Sequence, residues 1–216
     1  MPHYVPVMMN CEGRRLIIVG GGLVAERKVS SLLGAEATIV VISHKLSPWL
    51  QSCFEDGLIT WLERGYMEGD LEGAALVFAA TDQAIVNEAV VVEATKLGIP
   101  VNHAGDGKRG TFITPSSVRR GKLIIAVSSS GAGPIVATNL CREIEKQYGA
   151  EYETYIDFLS IVRMVIKHRV SDISERHDLF KLLAEMDVLT DIRNGNFHFW
   201  SEEEITSWIT EYRREK

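Results

Sequence analysis

Three consecutive glycines stand between an apolar run and a stretch of helical periodicity. Gly20-Gly21-Gly22 follows Arg15–Val19 and, together with Ala25, matches the pattern GxGxxG/A. In that pattern the first glycine makes a tight turn, the second lets the backbone approach a pyrophosphate, and the small last residue permits close packing of helix and strand. The alternative is a tight turn of any α/β protein. The context favours a dinucleotide site in which Gly20 and Gly22 contact the cofactor.

The residues around this loop would complete the site. Leu23 and Val24 open the predicted helix, so their backbone N–H groups can bind the pyrophosphate. The acidic residue that usually holds a ribose 2′-hydroxyl, about 20 positions further on, is replaced by Ser43-His44-Lys45. His44 and Lys45 could favour a 2′-phosphate, or the loop could contact the adenosine through its backbone. We expect Ser43, His44 and Lys45 to contact the cofactor, and this segment alone leaves NAD and NADP open.

Polar residues also follow two later apolar runs. Thr81 comes directly after Ala74–Ala80, and His103 and Asp106 come after the next predicted strand. Because the carboxyl ends of parallel strands border one crevice, we expect Thr81 to contact the cofactor. His103 and Asp106 are candidate catalytic residues, since a proton acceptor complements hydride transfer to a nicotinamide. The alternative for Asp106 is a structural turn in Gly105-Asp106-Gly107.

A serine- and glycine-rich turn and a basic segment indicate a site for an anionic substrate. Ser128-Ser129-Ser130-Gly131 precedes Pro134, which suits the first position of a helix, so hydroxyls and N–H groups would surround a helix N terminus. Simple N-capping by one serine is the alternative. The segment from Lys108 to Lys122 holds five basic residues and no acid, so Arg119 and Arg120 are candidates for binding carboxylates, unless they are merely solvated.

Composition sets the broad class. The 216 residues are 46% hydrophobic and 24% charged, which excludes disordered, collagen-like and coiled-coil chains. The net charge of −6 argues against a nucleic-acid partner. The three scattered cysteines, the absence of a signal peptide and the lack of a long apolar stretch predict a soluble cytoplasmic protein with no membrane partner. The six histidines do not cluster, so we expect no protein-bound metal.

The elements that must position these residues alternate between strand and helix. Apolar runs predict five strands, which are Arg15–Val19, Thr38–Ile42, Gly57–Leu62, Ala74–Ala80 and Ile99–Asn102. With helices between them, they indicate an α/β, Rossmann-type, doubly wound parallel sheet. Two more strands are predicted at Thr111–Thr114 and Lys122–Val127, followed by helices to the end, the last opened by a capping box at Ser201 and Glu204. We expect three parts, residues 1–110, 111–148 and 149–216.

Together these segments resemble the precorrin-2 dehydrogenase family, which includes the dehydrogenase/ferrochelatase module of siroheme synthase. The resemblance runs from about Val5 to Glu145 and keeps the family's order and spacing. The matching stretches are Val19–Lys28, Ala79–Asp82, Val101–Asn102, Phe112–Ser116 and Ala126–Pro134.

The resemblance implies that NAD⁺ removes a hydride from precorrin-2, a tetrapyrrole polycarboxylate, to give sirohydrochlorin. It implies NAD as the cofactor, substrate contacts by Asn102 and the residues from Ser128 to Gly131, a homodimer whose dimerisation segment is 111–148, and a helical C-terminal domain. The family's catalytic aspartate falls at Gly105, one position before Asp106. Either the loop presents Asp106 in its place, or this member of the family works without that carboxylate. Because the resemblance also links this aspartate to metal insertion in bifunctional members, we expect dehydrogenase rather than chelatase activity. The alternative function is a non-enzymatic nucleotide-sensing domain that dimerises through its helical tail.

Overall fold

The computed structural model describes residues 3–215, with side chains to residue 214. The chain divides into two compact units, one ending at Thr114 and the other beginning at Pro115. The expected boundary near Gly149 falls between two helices of the second unit, and the three-part division stays a prediction.

The first unit is a five-stranded parallel sheet with helices on both faces. The strands are β1 (Arg15–Val19), β2 (Thr38–Ser43), β3 (Thr60–Glu63), β4 (Ala74–Ala79) and β5 (Val101–His103). The helices are α1 (Leu23–Leu32), α2 (Pro48–Glu55) and α3 (Ala84–Lys96). The strand order is β3-β2-β1-β4-β5, and every neighbouring pair is parallel. The predicted doubly wound α/β fold is therefore confirmed.

The side chains of the central strands are buried on both faces, as parallel strands require. On one face Leu16 and Ile18 pack with residues of α1 and α2. On the other, Ile17 and Val19 pack with Val90 and other residues of α3. The chain leaves β1 towards β2 and later returns to β4 on the other side, so the direction of winding changes between β1 and β4. This change opens a crevice at the carboxyl ends of those two strands.

Helix α2 was not distinguished in the sequence, although its start carries a readable signal. The Ser47 hydroxyl accepts a hydrogen bond from the Leu50 N–H, and Pro48 occupies the first helical position. A serine followed by proline is typical of a helix N terminus.

The strand predicted at Thr111–Thr114 is wrong. The N–H groups of Thr111 and Phe112 both donate to the single carbonyl of Val101, so no ladder forms. The Phe112 ring instead packs edge-on against Phe78, with 5.5 Å between ring centroids. Its apolar character serves packing on the face of the sheet rather than strand pairing.

The second unit is a β-hairpin followed by helices. Strands β6 (Ser116–Arg120) and β7 (Leu123–Val127) are antiparallel. The helices are α4 (Pro134–Gln147), α5 (Glu151–Arg169), α6 (Ile173–Glu185), α7 (Val188–Asn194) and α8 (Glu202–Glu215). The predicted capping box is confirmed, because the Ser201 N–H donates to Glu204 and the Glu204 N–H donates to the Ser201 hydroxyl. Among the described helices, none has the length and apolar character needed to cross a membrane.

Candidate active site

The three glycines after β1 have three different surroundings. Gly20 has φ +126°, and a Cβ there would lie 2.3 Å from the Ala80 carbonyl oxygen. A Cβ on Gly21 would lie 2.0 Å from the Lys45 carbonyl oxygen. A Cβ on Gly22 would meet no other described atom within 4 Å, apart from its chain neighbours. Gly20 and Gly21 thus allow the β1 loop to pack against the loops after β4 and β2, and Gly22 faces open space.

Helix α1 begins at this open space without a side-chain cap. Gly22 is the N-cap residue and has no side chain to accept from the first N–H groups of the helix. Leu23 is exposed and Val24 is half-buried, whereas Ala25 is fully buried against the sheet. The pyrophosphate of a dinucleotide fits this position, because the first N–H groups of the helix have no side-chain cap and the space beside Gly22 is open. Gly20, Gly22, Leu23 and Val24 therefore lie around one helix N terminus, and their contact with a cofactor stays a prediction.

Strand β2 ends at a neutral hydroxyl, that of Ser43, where an acidic residue is usual. The Ser43 Oγ and carbonyl oxygen both accept from the Trp61 indole N–H, at 3.2 and 3.0 Å. The exposed His44 ring lies beside Gly65, 3.0 Å from where a Cβ would stand, and Lys45 is exposed. Sequence reasoning missed Trp61, because its contact with Ser43 joins residues on two strands.

Thr81 is held in the loop after β4 by a buried asparagine. Asn87 Oδ1 accepts from the Thr81 N–H at 3.0 Å and lies 2.8 Å from the Thr81 hydroxyl. The Asn87 amide in turn donates to the Thr81 carbonyl at 2.9 Å. Asn87 was not predicted, although an asparagine on the buried face of a helix is a recognisable signal, because a buried amide needs hydrogen-bond partners. The clamp fixes the loop that faces Gly20.

His103 is the last residue of β5, and its ring contacts the turn that follows and carries Asp106. The buried His103 accepts at Nδ1 from the N–H groups of Gly105 (3.2 Å) and Asp106 (2.9 Å). Asp106 is exposed, its Oδ1 accepts from the Lys108 N–H at 2.9 Å, and its Oδ2 lies 3.7 Å from Arg109 Nε. The Oδ1 contact is that of a turn residue. Oδ2 accepts no hydrogen bond within the described residues, and its ion pair with Arg109 is exposed to solvent.

Asn102 carries an unsatisfied polar atom. Its amide donates to the Phe112 carbonyl at 3.0 Å, which fixes the segment that crosses the face of the sheet. Its Oδ1 is buried and has no hydrogen-bond partner within the described residues. Such an atom costs free energy unless water or a ligand group reaches it.

Lys28 lies close to the same segment. Its Nζ donates to the Thr114 hydroxyl at 2.6 Å and lies 5.6 Å from the centre of the Phe78 ring. Burial lowers the pKa of the Lys28 ammonium, and the neighbouring Arg27 lowers it further. Lys28 therefore ties the last residue of the first unit to helix α1.

In the second unit, the serine-rich turn is stabilised by its own side chains. Ser128 Oγ accepts from the Ser130 N–H at 3.1 Å, and Ser129 Oγ accepts from the Gly133 N–H at 3.0 Å. Ser130 and Gly131 have positive φ angles, +52° and +85°. The Ser128 and Ser129 hydroxyls each retain a hydrogen that can be donated to an anion.

Most basic residues between Lys108 and Lys122 already have acidic or carbonyl partners. Arg109 pairs with Glu88, and Lys122 pairs with Asp157. Arg120 donates to the backbone carbonyls of Tyr148 and Glu145, at 3.1 and 3.3 Å, near the C-terminal end of α4. Lys108 and Arg119 are exposed, and within the described residues neither side chain forms an ion pair.

Comparison with known proteins shows what the chain is similar to. A family model described as NAD(P)-binding matches residues 7–116. Siroheme synthase of Methylobacillus flagellatus is 40% identical over 190 residues, which are 86% of this chain and 41% of that protein. Siroheme synthase of Nitrosococcus oceani is 38% identical over 193 residues, 89% of this chain and 41% of that protein. The chain thus spans about 40% of the length of the curated relatives it matches.

A solved structure covers nearly the whole chain. SirC, a precorrin-2 dehydrogenase, superposes with a TM-score of 0.73 and 26% sequence identity, covering 97% of this chain and 100% of SirC. The similarity therefore extends past the residues that the family model matches.

Proposed function

The chain belongs to the NAD(P)-binding family, and on that premise we propose that it catalyses the NAD⁺-dependent dehydrogenation of precorrin-2 to sirohydrochlorin. The observation that carries the proposal is the open, uncapped start of helix α1 at Gly22, in a chain similar to SirC over almost its full length. In the reaction, precorrin-2 loses one hydride to NAD⁺ and one proton to a base, and NADH and sirohydrochlorin are formed.

The loops after β1, β2 and β4 would hold the cofactor. When bound, NAD⁺ supplies the acceptor for the hydride. The N–H groups of Leu23 and Val24 bind the pyrophosphate, since no side chain competes for them. The Ser43 hydroxyl oxygen accepts a hydrogen bond from the Trp61 indole N–H, so its own hydrogen can be donated to a ribose hydroxyl of the cofactor. A neutral donor at this position suits NAD. His44, Lys45 and Thr81 line the same crevice at the carboxyl edge of the sheet.

Asp106 is the proposed proton acceptor. Its Oδ2 is the freer carboxylate oxygen, because Oδ1 already accepts from the Lys108 N–H. Gly105 stands where the family resemblance places an aspartate, so we assign dehydrogenation and do not assign metal insertion.

The remaining predicted residues are proposed to bind the substrate's carboxylates and polar edge. Arg119 is the basic candidate that keeps its donors free in the second unit, whereas Arg120 is engaged with α4. The hydroxyls of Ser128 and Ser129, the backbone at Ser130 and Gly131, and the unsatisfied Asn102 Oδ1 are the other proposed contacts.

We further propose that the protein is a cytoplasmic homodimer. Ile135, Val136 and Leu140 are exposed on helix α4, and a second copy would bury them. The three cysteines are free and buried, as expected in a reducing compartment. The similarity to a dehydrogenase makes a purely nucleotide-sensing role the less favoured alternative.

An anaerobic assay tests the function. The protein is incubated with precorrin-2 and either NAD⁺ or NADP⁺, and NADH and sirohydrochlorin are followed by absorbance. We expect equal amounts of both products with NAD⁺ and a turnover lowered at least about tenfold in Asp106→Ala, as for loss of a general base. A folded wild-type protein that binds NAD⁺ but leaves precorrin-2 unchanged would refute the proposal.

A further inference from the structure

We infer that His103 is a positioning residue, which acts by holding the backbone of the turn that carries Asp106. The inference deepens the proposed function and rests on it. It differs from the expectation that His103 itself transfers a proton, and its basis is the direction of two hydrogen bonds inside the turn after β5.

Both hydrogen bonds end on the same nitrogen. The N–H groups of Gly105 and Asp106 donate to His103 Nδ1, so this nitrogen carries no hydrogen. In a neutral imidazole the hydrogen is then on Nε2. A ring in this tautomer has no free lone pair for a substrate proton. It would have to give up both backbone hydrogen bonds before it could act as a base at Nδ1.

The position of His103 suits a fixed anchor. The residue is 9% exposed and belongs to strand β5, where it is paired with Ala79 of β4. In the described part of the chain, the Nε2 atom of His103 has no hydrogen-bond partner, and it is not fully buried. This nitrogen therefore reaches the surface. The backbone of His103 is therefore held by the sheet, and its ring holds the turn.

Asp106 is fixed at two points as a result. Its backbone N–H is bound 2.9 Å from His103 Nδ1, and its Oδ1 is bound 2.9 Å from the Lys108 N–H. Oδ2 accepts no hydrogen bond within the described residues and forms an ion pair with Arg109, whose Nε lies 3.7 Å away. Loss of the Nδ1 acceptor would leave two backbone donors unsatisfied and release the turn, and Asp106 would lose its fixed position.

Three variants test this role in the precorrin-2 assay. His103→Leu removes the acceptor, His103→Asn places an amide oxygen near the position of Nδ1, and Asp106→Asn removes the proposed base. We expect His103→Leu to lower kcat about tenfold or more, with the Kd for NAD⁺ within about twofold of wild type. His103→Asn should recover most of kcat. Because His103 acts through Asp106, His103→Leu should cause little further loss in the Asp106→Asn background.

A second measurement does not depend on activity. Long-range ¹H–¹⁵N spectra of the full chain, with His103 assigned by its absence in His103→Asn, identify which ring nitrogen carries the hydrogen. We expect the hydrogen on Nε2. A hydrogen on Nδ1, or additive losses in the double variant, would overturn the inference while leaving the dehydrogenase activity in place. An inactive wild-type protein that binds NAD⁺ would overturn the proposed function, and the positioning role with it.

Discussion

Replacing Gly22 with alanine should weaken cofactor binding without unfolding the protein. The added Cβ would enter space in which no described atom other than its chain neighbours lies within 4 Å, and the φ of −98° at Gly22 is open to any residue. Only a bound pyrophosphate would meet the new methyl group. The substitution therefore separates the role of Gly22 in the fold from its role at the cofactor.

The expected sizes of the two effects differ. Loss of one charge-assisted hydrogen bond to the pyrophosphate costs about 1.5–3 kcal/mol, which raises the Kd for NAD⁺ about 10- to 150-fold. Alanine is a poorer N-cap than glycine, but it also restricts the unfolded chain. These terms largely cancel, and we expect the free energy of unfolding to change by less than about 1 kcal/mol.

Gly21→Ala is the matched control. Its Cβ would lie 2.0 Å from the Lys45 carbonyl oxygen and 2.6 Å from Ser43 Oγ, so the backbone after β2 must move. We expect a loss of about 1–3 kcal/mol in the free energy of unfolding, as for other overpacked sites. Isothermal titration with NAD⁺ and urea unfolding of both variants give the two quantities. Wild-type affinity in Gly22→Ala, or a loss of stability equal to that of Gly21→Ala, would refute this account of the loop.

Four further substitutions follow from the contacts. The Arg64 guanidinium, hydrogen-bonded to Asp70, lowers the pKa of that carboxyl, so the pair stabilises the fold at neutral pH and the effect is lost as pH falls through the lowered pKa. Asp70→Asn should therefore destabilise the protein in urea at pH 7, and the difference from wild type should shrink below about pH 4. Glu93→Gln should cost about 1–3 kcal/mol in urea unfolding, because the buried carboxylate accepts two backbone N–H groups and a tyrosine hydroxyl. An unchanged midpoint would contradict that role. Arg119→Ala should raise the KM for precorrin-2 several-fold and leave the free energy of unfolding unchanged. Arg120→Ala should lower the free energy of unfolding by about 1 kcal/mol. The reverse pattern would assign the substrate contact to Arg120.

The sheet could be predicted because its signal is local. A strand buried on both faces is a continuous apolar run, and β1, β2 and β4 are such runs with glycines or polar loops at their ends. The run at Thr111–Thr114 is likewise made of β-branched and aromatic residues, yet the N–H groups of Thr111 and Phe112 converge on one carbonyl and the Phe112 ring packs on the sheet. Composition alone does not distinguish a segment that pairs from one that packs.

The candidate site was only partly predictable, because its key contacts join residues on different elements. The glycine pattern indicates Gly20 and Gly22, but the need for Gly21 depends on the path of the loop after β2. The contact between Trp61 and Ser43 depends on the pairing of β2 with β3. The direction of the hydrogen bonds at His103 depends on the turn geometry, which residue types do not specify.

The hydrogen bonds between Trp61 and Ser43 also have a spectroscopic consequence. The indole N–H is bound to both the hydroxyl and the carbonyl of Ser43, at the strand end where the adenosine ribose would lie. The emission of an indole depends on the hydrogen bonding of its N–H group, so with the proposed cofactor contact at Ser43, Trp61 would be an intrinsic fluorophore within one side chain of the nucleotide. In a variant that keeps Trp61 and replaces the other three tryptophans with phenylalanine, cofactor arrival at Ser43 becomes visible as a change in light emission, without any added label.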